Sequence, residues 1–85
     1  MFEIAYSSAA LRSLKRLPAD HRRQIRDKIA SVAADPTGDQ PQVKPLKAID
    51  AYRLRVGKWR VLFDLDHDAE ILIVLDVRKR DEAYR

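Results

Sequence analysis

The sequence predicts a single α+β domain: an N-terminal strand, an antiparallel two-helix hairpin, then a three-stranded antiparallel meander, with the helices packed on one face of the sheet. Three observations point to this β-α-α-β-β-β order. Apolar residues with a helical period occupy residues 9–34, strand formers with a period of two dominate from Tyr52 onward, and three of the four prolines fall between, in residues 36–51. A chain of 85 residues has material for one modest core, so residues 1–85 are expected to form one domain.

Phe2-Glu3-Ile4-Ala5-Tyr6 alternates as a short strand does. Ser7 and Ser8 then offer an N-cap to a helix over about Ala9 to Arg16, whose apolar face carries Ala10, Leu14 and Leu17, with Leu11 beside them. Leu17-Pro18 breaks that helix, because proline disfavours helical geometry in the residue before it. A second helix starts near Pro18–Asp20, with His21, Ile25, Ile29 and Val32 forming one stripe, and ends at Asp35-Pro36-Thr37-Gly38. The short break makes the two helices an antiparallel hairpin. Residues 36–51 read as a long connecting loop, and Tyr52–Val56, Trp59–Leu65 and Ile71–Val77 as three strands.

Composition bounds the class of function. Hydrophobic residues are 46% and charged residues 35%, a globular mixture. The absence of cysteine removes a disulfide framework and a thiolate metal site, and with no signal-peptide pattern the expected location is the cytoplasm. No apolar run is long enough for a membrane span. No cofactor is expected, and Asp64, Asp66, His67 and Asp68 lack the spacing of a calcium loop. Net charge is +4; residues 1–34 hold seven Lys/Arg and three Asp/Glu, residues 35–85 ten of each. A basic chain favours a polyanionic partner.

The informative stretch is Tyr52-Arg53-Leu54-Arg55-Val56-Gly57-Lys58-Trp59-Arg60-Val61-Leu62-Phe63. Gly57-Lys58 fits a two-residue type II′ turn, which sets Val56 opposite Trp59, Arg55 opposite Arg60, Leu54 opposite Val61 and Arg53 opposite Leu62. Tyr52, Leu54, Val56, Trp59, Val61, Phe63 and Leu65 then share the helix-covered face, and Arg53, Arg55 and Arg60 the other. Like charges directly opposite in a sheet are destabilising, so an anion is expected between them. With Asp66–Glu70 as a five-residue loop, Asp76 falls opposite Arg60 as one candidate. On that register Ile71, Ile73, Leu75 and Val77 face the core, while Leu72, Val74, Asp76 and Arg78 join the arginines. The other candidate is a phosphate, matched by the planar guanidinium fork. One carboxylate cannot neutralise three to five cations, which favours a phosphate-binding concavity. Leu62, Leu72 and Val74 would form an apolar strip beside it, the mark of a partner site.

Over nearly its whole length the chain resembles the RelE/ParE superfamily of type II toxins. The likeness rests on the strand–helix–helix opening, Lys44-Pro45-Leu46-Lys47, the Tyr52–Gly57 hairpin strand, Trp59-Arg60-Val61, and the basic C-terminus ending in Tyr84. The RelE branch, which the arginine cluster and Tyr84 favour, implies a metal-independent endoribonuclease that enters the ribosome and cleaves mRNA by attack of a ribose 2′-OH on the adjacent phosphate. Carried over by position, Arg53 and Arg55 would bind the backbone and stabilise the developing charge, and Arg60 would contact the scissile phosphate. Arg80, or its neighbour Arg78 on a shifted alignment, would supply the C-terminal arginine, and Tyr84 would stack on a base or move a proton. Arg53, Lys44, Lys47, Lys58, Arg78 and Lys79 would bind RNA. The resemblance also implies a cognate antitoxin protein covering Leu62, Leu72 and Val74. RelE-type enzymes commonly carry lysines where Arg53 and Arg55 stand; arginine is the poorer proton acceptor, so electrostatic stabilisation is what carries over. Lys79 stands near the position of a catalytic histidine in some members. Two other readings share the fold: a ParE-like inhibitor of DNA gyrase, and a non-catalytic RNA- or protein-binding module.

Overall fold

A computed structural model describes residues 1–36, 43–46 and 51–79. Its elements are β1 (Glu3–Tyr6), α1 (Ser8–Lys15), α2 (Ala19–Ala34), β2 (Val43–Pro45), β3 (Tyr52–Val56), β4 (Trp59–Asp66) and β5 (Ile71–Lys79). The expected α+β architecture is present, with one added strand. The five strands form one sheet in the order β1-β5-β4-β3-β2.

Two details of connectivity differ from expectation. The connection between α2 and β3, read as all loop, contains β2, which pairs antiparallel with β3 through Val43–Leu54, Lys44–Arg53 and Pro45–Tyr52. Its proline hides the strand in the sequence; proline lacks the donor of an interior strand, but β2 lies at the sheet edge, where that donor is dispensable. The sheet is also mixed, because β1 runs parallel to β5. The two helices carry the chain from β1 at one edge of the sheet to β2 at the other, and β5 then returns beside β1.

α1 begins where Ser7 caps it, its Oγ accepting from Ala10 N at 3.0 Å. α2 starts behind Pro18, whose fixed φ suits a helix entry. The buried stripes are Ala10, Leu14 and Leu17 from the first helix and its turn, and Ile25, Ile29, Val32 and Ala33 from α2. Leu11, placed beside the first stripe by sequence, is 48% exposed, because it sits about 100° around the helix from Ala10. The helices cover Leu54, Val56, Val61, Phe63, Leu72, Val74 and Val77 of the sheet, with Tyr52, Trp59 and Leu65 packed at the rim.

The turn at Gly57-Lys58 has the expected geometry: Gly57 has φ +57°, and Lys58 does not share the positive sign. The β3–β4 register agrees with expectation, Val56–Trp59, Arg55–Arg60, Leu54–Val61 and Arg53–Leu62. The β4–β5 register does not. Asp66 pairs with Ile71, so the loop is residues 67–70, one shorter than expected. Asp66 Oδ1 accepts from Ala69 N at 3.0 Å, and Glu70 adopts φ 55°, which closes the tight turn. The added rung reverses the near half of β5. Leu72 and Val74 are buried under the helices at 1% and 0% exposure, and Ile71 and Ile73 lie half-buried on the opposite face.

A β-bulge then restores the alternation. Phe63 pairs with Val74 but Leu62 pairs with Asp76, leaving Leu75 as the extra residue; beyond it Val61 pairs with Val77, Arg60 with Arg78 and Trp59 with Lys79. The bulge lies where β1 ends. Ser7 N donates to Val74 O at 2.9 Å, and Ser7 Oγ donates to the carbonyl oxygen of Leu75, the bulged residue. One hydroxyl thus caps α1 and anchors the bulge. Ser7→Ala is expected to destabilise the fold by about 1–2 kcal/mol, measured by denaturant unfolding, since the substitution removes both roles at once.

Candidate nucleic-acid interface

Direct cross-strand partners share a sheet face. The rung Arg55–Arg60–Arg78 therefore sets three arginines in a row across β3, β4 and β5 on the face away from the helices, spanning about 10 Å at ordinary strand spacing. The next rung is Lys44–Arg53–Leu62–Asp76. Two rungs thus gather five cations and one carboxylate on one side of the sheet. This is the clustering expected for Arg53, Arg55, Arg60 and Arg78, extended by Lys44.

The members differ in access. Arg55, Arg78 and Lys44 are exposed and Arg53 is half-buried. Arg60 is 1% exposed and engaged within the protein. The guanidinium expected to meet a phosphate directly is therefore buried, and Arg55 and Arg78 present the accessible charge. Lys58 is exposed in the turn, and Lys79, paired with Trp59, belongs to the helix side. Lys47, Arg80 and Tyr84 lie outside the described residues.

Asp76 is not the counter-ion placed opposite Arg60 that the longer loop implies; the observed register sets it opposite Leu62. Its Oδ2 accepts from Arg78 Nε at 2.9 Å; its Oδ1 accepts from Ser13 Oγ at 3.0 Å and from Val77 N at 2.8 Å. Asp76 thus ties α1 to the arginine row, and by holding Nε it leaves the outer amino groups of Arg78 to another ligand. Burial alone pushes the Asp76 carboxyl up, but the bonds from Arg78, Val77 and Ser13, with the charge of Arg78, outweigh it and hold the group below its ordinary value. The sequence places Asp76 and Arg78 on this face but not in this register, since the bulge that sets Arg78 opposite Arg60 has no glycine to announce it.

The apolar strip is corrected as well. Leu72 and Val74, expected beside the arginines, are core residues on the helix side, because the shorter loop moves them there. Leu62 remains on the arginine face, half-buried, and Ile71 and Ile73 take the vacated places. Asp64 and Asp66 alternate with Leu62 along β4, so this face grades from basic at the Gly57 turn, through apolar, to acidic at the other end.

Comparison with known proteins agrees with this architecture. The model of the family described as "ParE toxin of type II toxin-antitoxin system, parDE" matches residues 4–84. A protein of Methanocaldococcus jannaschii, provisionally named toxin RelE1, is 29% identical over 86 residues, covering 99% of this chain and 96% of that protein. The RelBE2 toxin–antitoxin complex from Mycobacterium tuberculosis contains a chain that superposes with a TM-score of 0.79 at 21% identity, covering 93% of this chain and 98% of that one. The isolated E. coli RelE toxin superposes with a TM-score of 0.79 at 20% identity, covering 99% and 92%. At those identities the solved structures speak to the fold.

The lowered Asp76 carboxyl carries a pH signature. Its contribution to stability is complete at neutral pH, above the ordinary carboxylate value of 3.8, and is lost as the pH falls through that value toward the lower folded one. Asp76→Asn is expected to cost about 1 kcal/mol at pH 7 and to lose less stability than the native chain on acidification, measured by urea unfolding at both pH values.

Proposed function

The chain belongs to the ParE toxin family of type II toxin–antitoxin systems, within the RelE/ParE superfamily, and on that premise we propose that it is an endoribonuclease that cuts mRNA on the ribosome. The observation that carries this reading is the Arg55–Arg60–Arg78 rung, a row of positive charge on the sheet face away from the helices with Arg55 and Arg78 exposed. Arginine forks bind phosphate oxygens in two-point contacts, which suits a polynucleotide backbone.

The proposed reaction is attack of a ribose 2′-oxygen on the adjacent phosphorus with loss of the 5′-oxygen, leaving a 2′,3′-cyclic phosphate and a 5′-OH. Negative charge grows on the phosphoryl oxygens in the transition state, and fixed guanidinium groups stabilise it without reorganising. Arg55 and Arg78 are the contact groups in this reading, Arg53 and Lys44 hold the flanking backbone, and the buried Arg60 adds to the potential. Arg80 and Tyr84 complete the site by resemblance, with Tyr84 stacking on a base or moving the proton. The chain is metal-independent in this scheme and acts in the cytoplasm, where its message is.

We further propose that a cognate antitoxin covers this face, its apolar side chains on Leu62, Ile71 and Ile73 and its carboxylates on the arginines. The solved RelE–RelB complex from Pyrococcus horikoshii and the RelBE2 complex from M. tuberculosis support a protein partner of that kind.

Inhibition of DNA gyrase is the second reading. It is favoured by the matching family model, which is that of ParE, and by arginines at the two positions where RelE-type enzymes commonly carry lysines. Induction in cells with mapping of mRNA ends separates the two. Cleavage predicts growth arrest with codon-phased breaks, and Arg55→Ala and Arg78→Ala each lowering cleavage on the order of 100-fold. Arrest with intact message and an SOS response would establish the gyrase reading instead. Absence of arrest would leave a binding module.

A further inference from the structure

On the helix side of the sheet, at the same end as the arginine row, lies a groove of about 270 Å³ lined by Ser13, Arg16, Leu17, Trp59, Val77 and Lys79. Leu17 and Val77 are buried and form its apolar floor. Trp59 is half-buried and held from one side: its Nε1–H donates to His21 Nδ1 at 3.2 Å, and the two rings meet edge-on with centroids 6.0 Å apart. The indole is thus fixed in orientation. The Nζ atoms of Lys58 and Lys79 each lie 5.9 Å from its centroid, and Arg16, exposed at the C-cap of α1, lines the same groove.

Two lysines therefore flank one oriented indole, and a third cation, Arg16, lines the same groove. The lining holds no carboxylate, and none of the three cations forms an ion pair among the described residues. Mutual repulsion of this kind is relieved by an anion, and an aromatic platform among cations is the chemistry that recognises a nucleotide: the ring takes the base and the cations take the flanking phosphates.

We propose that the Trp59 groove is a nucleotide subsite for single-stranded RNA, with a base stacked on the indole and its phosphates held by Arg16, Lys58 and Lys79. The inference rests on the RNA reading of the arginine row and deepens it. The Trp59–Lys79 pair is next to the Arg60–Arg78 pair, so consecutive residues of β5 carry charge to opposite sides of the sheet. One strand of RNA can then contact both. A stacked base outweighs the exposed cation–π contacts that it displaces, so the lysines move from ring to phosphate.

Trp59 is the sole tryptophan, so its emission reports the groove directly. The full chain is titrated with a single-stranded RNA decamer, following tryptophan emission and the anisotropy of labelled RNA. Saturable quenching that tracks the anisotropy is expected. Arg16→Glu, an exposed change outside the arginine row, should weaken binding about tenfold; Trp59→Leu should do the same, and Trp59→Phe should retain most of the affinity. RNA binding with unchanged emission and with full affinity in Arg16→Glu would overturn the subsite and leave the arginine row standing. No binding of RNA by the native chain would overturn both.

Discussion

The repulsion between guanidinium groups that face one another across a sheet is the constraint around which this molecule is arranged. A two-residue turn at Gly57 fixes Arg55 opposite Arg60, and no side-chain freedom can move their Cα atoms apart. Such a rung opposes folding. It is sustained by the other face of the same strands, where Leu54, Val56, Val61 and Phe63 are buried against two helices. The two periods meet in one hairpin: every second residue builds the core, and those between carry the arginines and Leu62. A substitution that slipped the register by one residue would bring the arginines under the helices and the core into water.

The third arginine of the row depends on a local irregularity. Without the bulge at Leu75, Val77 would stand opposite Arg60 and Arg78 would turn toward the helices; with it, Val77 enters the core and Arg78 joins the row. The irregularity is pinned by residues far away in sequence. Ser7 takes the Leu75 carbonyl, and Ser13 takes the Asp76 carboxylate that in turn holds Arg78. Both serines belong to α1 or its cap, so the first helix is a brace for the site as well as a cover for the core. This explains how a strand–helix opening with no chemistry of its own contributes to a surface on the opposite side of the sheet.

Legibility from sequence tracks the strength of local signals. The helices announce themselves through proline, serine caps and a stripe of period 3.6, and the β3–β4 hairpin through a glycine turn flanked by strict alternation. The β5 register carries no such signal. Asp66–Glu70 has no glycine, and Glu70 takes the left-handed conformation that a glycine would have advertised. A strand reading Ile-Leu-Ile-Val-Leu is apolar on both faces, so period cannot choose which half is core. The misplacement of Leu72 and Val74 follows from that ambiguity alone. Pro45 conceals β2, and the parallel β1–β5 pairing, which joins strands far apart in sequence, has no local trace. The arginine face is legible because charge, unlike apolarity, has one acceptable side.

A role in RNA chemistry requires that the outer arginine row neutralise RNA phosphates. The direct measurement is the dependence of RNA affinity on salt for the native chain, Arg55→Gln and Arg78→Gln. Each phosphate deprived of its guanidinium should reduce the slope of log affinity against log salt by about 0.7 for a single strand. Slopes that stay at the native value in both variants would mean that RNA, if bound, is bound elsewhere.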